Sequence, residues 1–303
     1  MTNTPDQRHA APSFKPATSN AAIKLRSVSQ RITWQLGKRM PNTFPFVFVL
    51  GYPKSGTSWM CQVIADYLNL PFPRFSILPV GCPAVVHGHQ FVTRDYPAGI
   101  YSMRDGRDVM VSQYFFSLRH TKLAADGSPM LTAAQRRLHP GLQSLDDAKT
   151  NLPRMIRNLS ANGHDWSAHV RSYLDTKHPR FPLLTYEDLI NDGPRALATC
   201  CASLLDAEPD IERAEASIAK FSFARQKKAK AGGTSEAKFL RKGGTGDWKN
   251  HFTPETARLF DELFGRELIE AGYEPDNSWV ERFEAEFAER ESTPAEQATG
   301  ATA

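Results

Sequence analysis

The sequence predicts an α/β fold in three layers, a parallel β-sheet with helices on both faces. Three observations carry this. An apolar, β-rich run, Phe44–Leu50, passes through a glycine-bearing loop into a helical pattern, Thr57–Leu68. Beyond it, short β-rich runs alternate with longer helical patterns, the signature of a sheet whose strands are joined by crossover helices. The chain has 303 residues, 41% of them hydrophobic, enough for one large domain or two small ones.

Taken in order, residues 1–21 are rich in Pro, Ser, Thr, Asn and Ala and are expected to be a disordered tail. Residues 22–41 form a basic helix ended by Pro41. Leu25, Val28, Ile32 and Leu36 recur at helical spacing among Lys24, Arg26, Arg31, Lys38 and Arg39. This stripe is expected to pack on the catalytic domain; residues 22–40 could alternatively make peripheral membrane contact. The catalytic domain is placed at 42–285 and a disordered tail at 286–303, polar and small from about Glu289. Expected strands are 44–50, 84–87, 99–103 and 182–185. Expected helices are 57–68, 106–118, 152–176, 194–205, 211–220 and 254–271. Thr121–Thr150 shows little pattern and is expected to be an irregular acceptor lid. Ala224–Gly246, cationic and glycine-rich, is expected to be a second flap.

Composition narrows the function classes. The formal net charge of +4 suits an anionic ligand. No nucleic-acid-binding signature is present. Cys61, Cys82, Cys200 and Cys201 have no metal-binding spacing and are expected to be reduced, largely buried thiols. The polar N-terminus lacks the apolar core of a secretory signal, and no run reaches membrane-spanning length. A cytoplasmic protein, monomer or homodimer, is expected.

Gly51-Tyr52-Pro53-Lys54-Ser55-Gly56-Thr57-Ser58-Trp59 is a phosphate-binding loop with a displaced lysine. A nucleoside-triphosphatase loop reads G-x-x-x-x-G-K-[ST]. Here Thr57 stands in the lysine position and Lys54 lies within the loop, so the fold is P-loop-NTPase-like without the usual lysine placement. Arg104-Asp105-Gly106-Arg107-Asp108 follows a short strand, with Ser112 two turns into the next helix. An arginine fork and a hydroxyl suit a phosphate monoester; a surface salt-bridge cluster is the structural alternative. Near the end, Arg241-Lys242-Gly243-Gly244-Thr245-Gly246-Asp247-Trp248 combines cations with glycines that permit close approach to a ligand.

The P-K-S-G-T-S-W string, the R-D-x-R-D-x-x-x-S spacing, the R-K-G…G-D-W loop and Tyr186-Glu187-Asp188-Leu189 together resemble sulfotransferases that use 3′-phosphoadenosine 5′-phosphosulfate (PAPS). The matches span about Phe44 to Tyr273. The resemblance implies a cytosolic-type enzyme moving a sulfuryl group to a hydroxyl, less readily an amine, of a small-molecule, lipid or sugar acceptor. No metal is required. Adenosine 3′,5′-bisphosphate (PAP) is the product, and nucleic acid is not a partner.

It further implies that Lys54, Ser55, Gly56, Thr57, Ser58 and Trp59 hold the 5′-phosphosulfate side. Arg104, Ser112, Arg241, Lys242 and Gly243 hold the 3′-phosphate, and Tyr186 lies near the adenine. Trp59 could equally be core. Lys54 stabilises the leaving phosphate, and Ser112 counts with it as catalytic. Many family members have K-T-H where this chain has His87-Gly88-His89. By that alignment His89 is the base and His87 replaces the lysine, a departure that leaves the choice between the two histidines open. Phe72, Phe75, Phe91, Tyr114, Phe115 and Phe116 are candidates for an apolar acceptor pocket, with some belonging to the core. The alternatives are a divergent nucleotide kinase, against which Thr57 argues, and a non-catalytic bisphosphate-binding protein.

Overall fold

A computed structural model describes residues 20–119, 121–161, 163, 165–222 and 244–292. Arg241, Lys242, Gly243 and most of the cationic flap expected at 224–246 lie outside them.

Four strands, β1 (Phe46–Gly51), β2 (Ala84–Gly88), β3 (Gly99–Met103) and β6 (Leu183–Thr185), form one sheet in the order β2-β1-β3-β6. All pairings are parallel. Each strand alternates its side chains between two buried faces. Phe46, Phe48 and Leu50 point into one core with Tyr101 and Met103. Val47 and Val49 point into the other with Val85, Ile100 and Leu184. Helices α2 (Thr57–Leu68), α7 (Tyr186–Leu205) and α8 (Ile211–Lys220) cover the second face. Helices α3 (Gly106–Leu118), α5 (Ala148–Ser160), α6 (Trp166–Thr176), α9 (Pro254–Glu270) and α10 (Trp279–Ser292) cover the first. This is the three-layer architecture expected. Because β1 is flanked by β2 on one side and β3 on the other, the chain reverses its winding at β1. A crevice opens there at the strands' carboxyl ends, where open α/β sheets bind ligands.

Several expected boundaries move. The helix expected over 152–176 is two helices, α5 and α6. Gly163 turns the chain at φ 63°, and Asp165 restarts it by accepting Ala168 N–H at 2.8 Å. Helix α7 begins at Tyr186, not at Pro194, and is broken at Asp192 (φ −145°, ψ 62°). Thr185 caps it through Asp188 N–H, so Y-E-D-L is a first helical turn. The segment 121–150 is more regular than expected. It holds a short hairpin, β4 (Lys122–Leu123) with β5 (Pro129–Met130), and helix α4 (Ala133–Leu138) with a Thr132–Gln135 capping box. The tail boundary at 286 falls inside α10, whose Phe283 is buried and whose Phe287 packs on the same core. Cys61, Cys200 and Cys201 are buried free thiols, whereas Cys82 is exposed.

Helix α1 (Asn20–Arg39) packs with the opposite orientation to that expected. Its buried face is Ser29, Thr33 and Gly37. A side chain at Gly37 would strike the Phe46 ring at 2.5 Å, so glycine lets the helix lie close on the sheet. Thr33 Oγ1 accepts Val80 N–H at 2.9 Å, and Gln30 Nε2 donates to the His87 carbonyl at 3.1 Å. Leu25, Val28 and Ile32 face outward, whereas Leu36 is partly buried and Trp34 packs against the first core.

Candidate active site

Four strand ends converge at the crevice. Lys54 follows β1, His89 follows β2, Arg104 follows β3 and Tyr186 follows β6. Sequence-distant motifs become neighbours because parallel strands deliver their carboxyl ends to one edge.

The glycine loop is built to receive an anion. Helices α3 to α9 are each capped by an Asp or Thr side chain, but α2 starts at Gly56 with no side-chain cap. Its first-turn N–H groups and the positive end of its dipole point into the loop. Gly56 has φ 82°, and a Cβ there would lie 2.6 Å from the Tyr186 ring, so glycine is required twice over. Ser55 Oγ is buried and has no hydrogen-bond partner among the described residues. A buried hydroxyl without a partner costs free energy, and a ligand oxygen would relieve it. Thr57 Oγ1 lies 3.2 Å from Ser102 Oγ, joining the loop to β3. Ser58 stands in the first turn of α2, partly buried.

Lys54 adopts the left-handed region at φ 78°, a conformation costing a residue with a side chain on the order of 1–2 kcal/mol. Its ammonium lies 3.9 Å from the centre of the Phe116 ring. Burial, then the charges of Arg119, Arg104 and Arg74, push its pKa down to about 7. A buried cation among cations is stabilised by an arriving anion. Arg74 and Arg119 belong to no sequence motif. Phe116 was expected in the acceptor pocket and is also the platform for Lys54. Tyr114, among the same candidates, is fully buried core. Phe75 is exposed beneath the Arg26 and Arg74 guanidinium groups.

The second motif divides its labour. Arg104 places its guanidinium 4.3 Å from the centre of the Tyr186 ring and donates to the Gly244 carbonyl at 3.1 Å. Its Nε is buried with no partner among the described residues, an unused donor at the crevice. Arg107, in contrast, is structural. It is buried, paired with Asp105 (2.7 Å) and Glu274 (2.6 Å), and stacked on Trp248 and Trp279. The salt-bridge alternative thus accounts fully for Arg107 and Asp105; Arg104 also pairs with Asp108 at 3.5 Å, yet its Nε is left over. Asp108 accepts the N–H groups of Gly246 (2.8 Å) and Trp248 (2.9 Å), drawing the G-D-W loop down beside Arg104. Ser112 lies on α3, partly buried. Tyr186 is the hinge of the site, touching Arg104 on one side and packing edge-on against Trp59 (5.7 Å) on the other. Trp59 also donates Nε1–H to the Phe221 carbonyl at 3.0 Å, so it forms a fixed wall. Glu187, which sequence reasoning passed over, accepts Asp105 N–H and Tyr273 O–H, and burial raises its pKa to about 7.

The two histidines separate clearly. His89 Nδ1 lies 2.6 Å from the Gly51 carbonyl oxygen. A carbonyl can only accept, so Nδ1 carries the proton, and in the neutral ring Nε2 keeps the lone pair. Burial, together with Arg74 and Lys54, lowers the pKa of His89. It is therefore a neutral ring tethered to the strand that carries the glycine loop. His87 stacks edge-on against His89 at 4.5 Å, and burial drives its pKa down to about 3. A neutral His87 supplies no positive charge where the resemblance places a lysine.

A parallel sheet with an uncapped glycine loop, a loop lysine, an arginine and a neutral histidine at its strand ends defines an α/β transferase for an anionic nucleotide. A profile described as Sulfotransferase domain matches residues 90–272, more than half of the chain. The chain belongs to the sulfotransferase family, and it is a PAPS-dependent sulfotransferase. Its relatives include rat sulfotransferase 2A2, 25% identical over 76% of this chain and 85% of that protein. Mouse sulfotransferase 2B1 is 24% identical over 82% and 76% respectively. Rabbit amine sulfotransferase is 25% identical over 73% and 80%. Among solved structures, mouse sulfotransferase SULT7A1 complexed with PAP has a TM-score of 0.53 at 20% identity, covering 78% of this chain and 88% of that chain. That likeness shows the fold. The profile begins just beyond His89, so the glycine loop and the histidine pair are read from geometry.

Proposed function

We propose that the enzyme transfers the sulfuryl group of PAPS to a hydroxyl, less readily an amine, of a small-molecule, lipid or sugar acceptor, with His89 as base and Lys54 opposite the leaving phosphate. The observation that carries this reading is the His89–Gly51 hydrogen bond. It fixes the tautomer a base requires and holds the ring beside the loop that would cradle the donor.

The residues fit the donor. Ser55, Gly56, Thr57 and Ser58 offer hydroxyls and N–H groups to a 5′-phosphosulfate. Arg104, with Ser112 and the undescribed Arg241–Gly243, would take the 3′-phosphate, and Trp59 and Tyr186 would flank the adenine. The donor supplies an activated sulfur–oxygen bond. His89 Nε2 would accept the acceptor's proton as its oxygen bonds to sulfur. Lys54 would face the negative charge that develops on the departing 5′-phosphate oxygen. The test is transfer of labelled sulfate from PAPS across phenols, sterols, lipid-linked alcohols, sugars and amines, with EDTA present. Transfer to at least one class is expected. PAP binding with no transfer to any class would favour a non-catalytic binding protein.

A second expectation concerns cofactor selectivity. AMP lacks the 3′-phosphate and would leave Arg104 and Ser112 without their ligand. Each lost charge-assisted contact costs about 1.5–3 kcal/mol, so two predict roughly 100-fold or more weaker binding than PAP. Calorimetry giving equal affinities would contradict the assignment of Arg104.

A further inference from the structure

We propose that helix α1 is a docking element for anionic membrane surfaces, seating the enzyme with its apolar stripe in the headgroup layer. The first three members of the stripe are not used by the fold. Leu25, Val28 and Ile32, at i, i+3 and i+7, are 50%, 52% and 43% exposed, while the helix buries Ser29, Thr33 and Gly37 instead. Three large aliphatic side chains face water while the most buried positions of the helix are small, with Trp34 packing beside them on the core, an unusual division for a surface helix. Further exposed apolar residues lie close by. Phe75, Ile77 and Leu78 are exposed on the loop that α1 holds through Thr33 and through Arg26 over the Phe75 ring.

Charge selects the occupant. No acidic residue occurs between Asp6 and Asp66, and α1 carries Lys24, Arg26, Arg31, Lys38 and Arg39. Helical spacing puts Lys24 and Arg31 along one border of the stripe, flanking Val28, and Arg39 at its C-terminal end. Lys38, at i+7 from Arg31, continues that border towards the C-terminus and is paired with Asp95 at 2.7 Å. Aliphatic residues bordered by cations, with no acid between, match a layer of acyl chains under anionic headgroups. The site lies just behind this helix. Gln30 holds the His87 carbonyl, and a cavity of about 50 Å³ between α1 and the 72–76 segment is lined by Arg26, Gln30, Arg74 and His87.

The test is co-sedimentation of the full chain with vesicles. Phosphatidylcholine vesicles containing roughly one-third phosphatidylserine are expected to bind it at least ~10-fold better than phosphatidylcholine alone, with binding weakened by salt. Val28→Glu/Ile32→Glu should remove this binding, and Lys24→Gln/Arg31→Gln should reduce it several-fold. Both variants should keep the melting temperature and the affinity for PAP, because the altered side chains are exposed. The proposal is overturned if anionic vesicles bind no better than neutral ones, or if both variants bind like the parent. It is also overturned if the stripe proves to be covered by a second copy. In that case the protein would be a dimer that Val28→Glu/Ile32→Glu splits while vesicle binding stays unchanged.

Discussion

Lys54→Ala is expected to lower turnover by ~10²–10³-fold, the usual loss when one donor to a developing oxyanion is removed, while weakening PAP binding far less. The distinction arises because the ammonium acts most strongly as charge builds on the departing phosphate, which ground-state binding does not reproduce. The environment of the lysine gives a second readout. Its folded pKa of about 7 lies below its ordinary value of 10.5. Between those values the unfolded chain holds more protons than the folded one, so the uncomplexed protein should gain stability as pH rises from about 7 towards 10.5. Below pH 7 the cost of the buried charge is fully present. An arriving bisphosphate favours the charged lysine and restores its pKa. Binding at pH 8 should therefore take up close to ~1 proton, seen as a buffer-dependent calorimetric enthalpy, and Lys54→Ala should abolish the uptake. A variant in which only the Michaelis constant changes would remove Lys54 from the transition state.

His89→Ala is expected to lower turnover by ~10²–10⁴-fold, the range for a general base, with PAP binding intact. His87→Ala should do less, since a ring held neutral by a pKa of about 3 carries no charge to lose. The pH profile adds a constraint. Because burial and the neighbouring cations lower the pKa of His89 from 6.5, its base form persists on the acid side of the ordinary histidine range. The acidic limb of turnover should therefore fall below pH 6.5 and disappear in His89→Ala. The measurement is turnover of both variants across pH with one good acceptor. A dead His87→Ala beside an active His89→Ala would reverse the two roles. Activity in both would move the base elsewhere, the 121–150 segment being the next place to look.

Much of the candidate site was legible in the sequence because its parts lie in short contiguous strings. The G-x-x-x-x-G frame, the position of Lys54 within it and the run from strand into R-D-G-R-D are local features, and local patterns set strands, loops and helix starts. The same reasoning fixed the α/β class and most element positions. Boundaries set by single capping residues were less legible. Asp165 restarting a helix after Gly163, and Thr185 starting one eight residues before Pro194, involve one side chain each and leave no periodicity.

The amino-acid sequence by itself determined that a glycine loop with an internal lysine follows the first strand, and that an arginine follows the third. Only the tertiary structure gave two equivalent-looking residues different surroundings. Arg104 keeps an unpaired Nε at the crevice, whereas Arg107 is consumed by Asp105, Glu274 and two tryptophans. His89 is oriented by a carbonyl thirty-eight positions away, whereas His87 is buried into neutrality. The direction of α1 was decided in the same way. Its apolar periodicity predicts a buried stripe, yet close approach of Gly37 to Phe46 and Phe48 brought Ser29, Thr33 and Gly37 inward and left Leu25, Val28 and Ile32 outside. The physical reason is common to all three. Periodicity and motif specify what a residue can do, whereas desolvation, pairing and steric approach are set by residues that only the folded chain brings alongside.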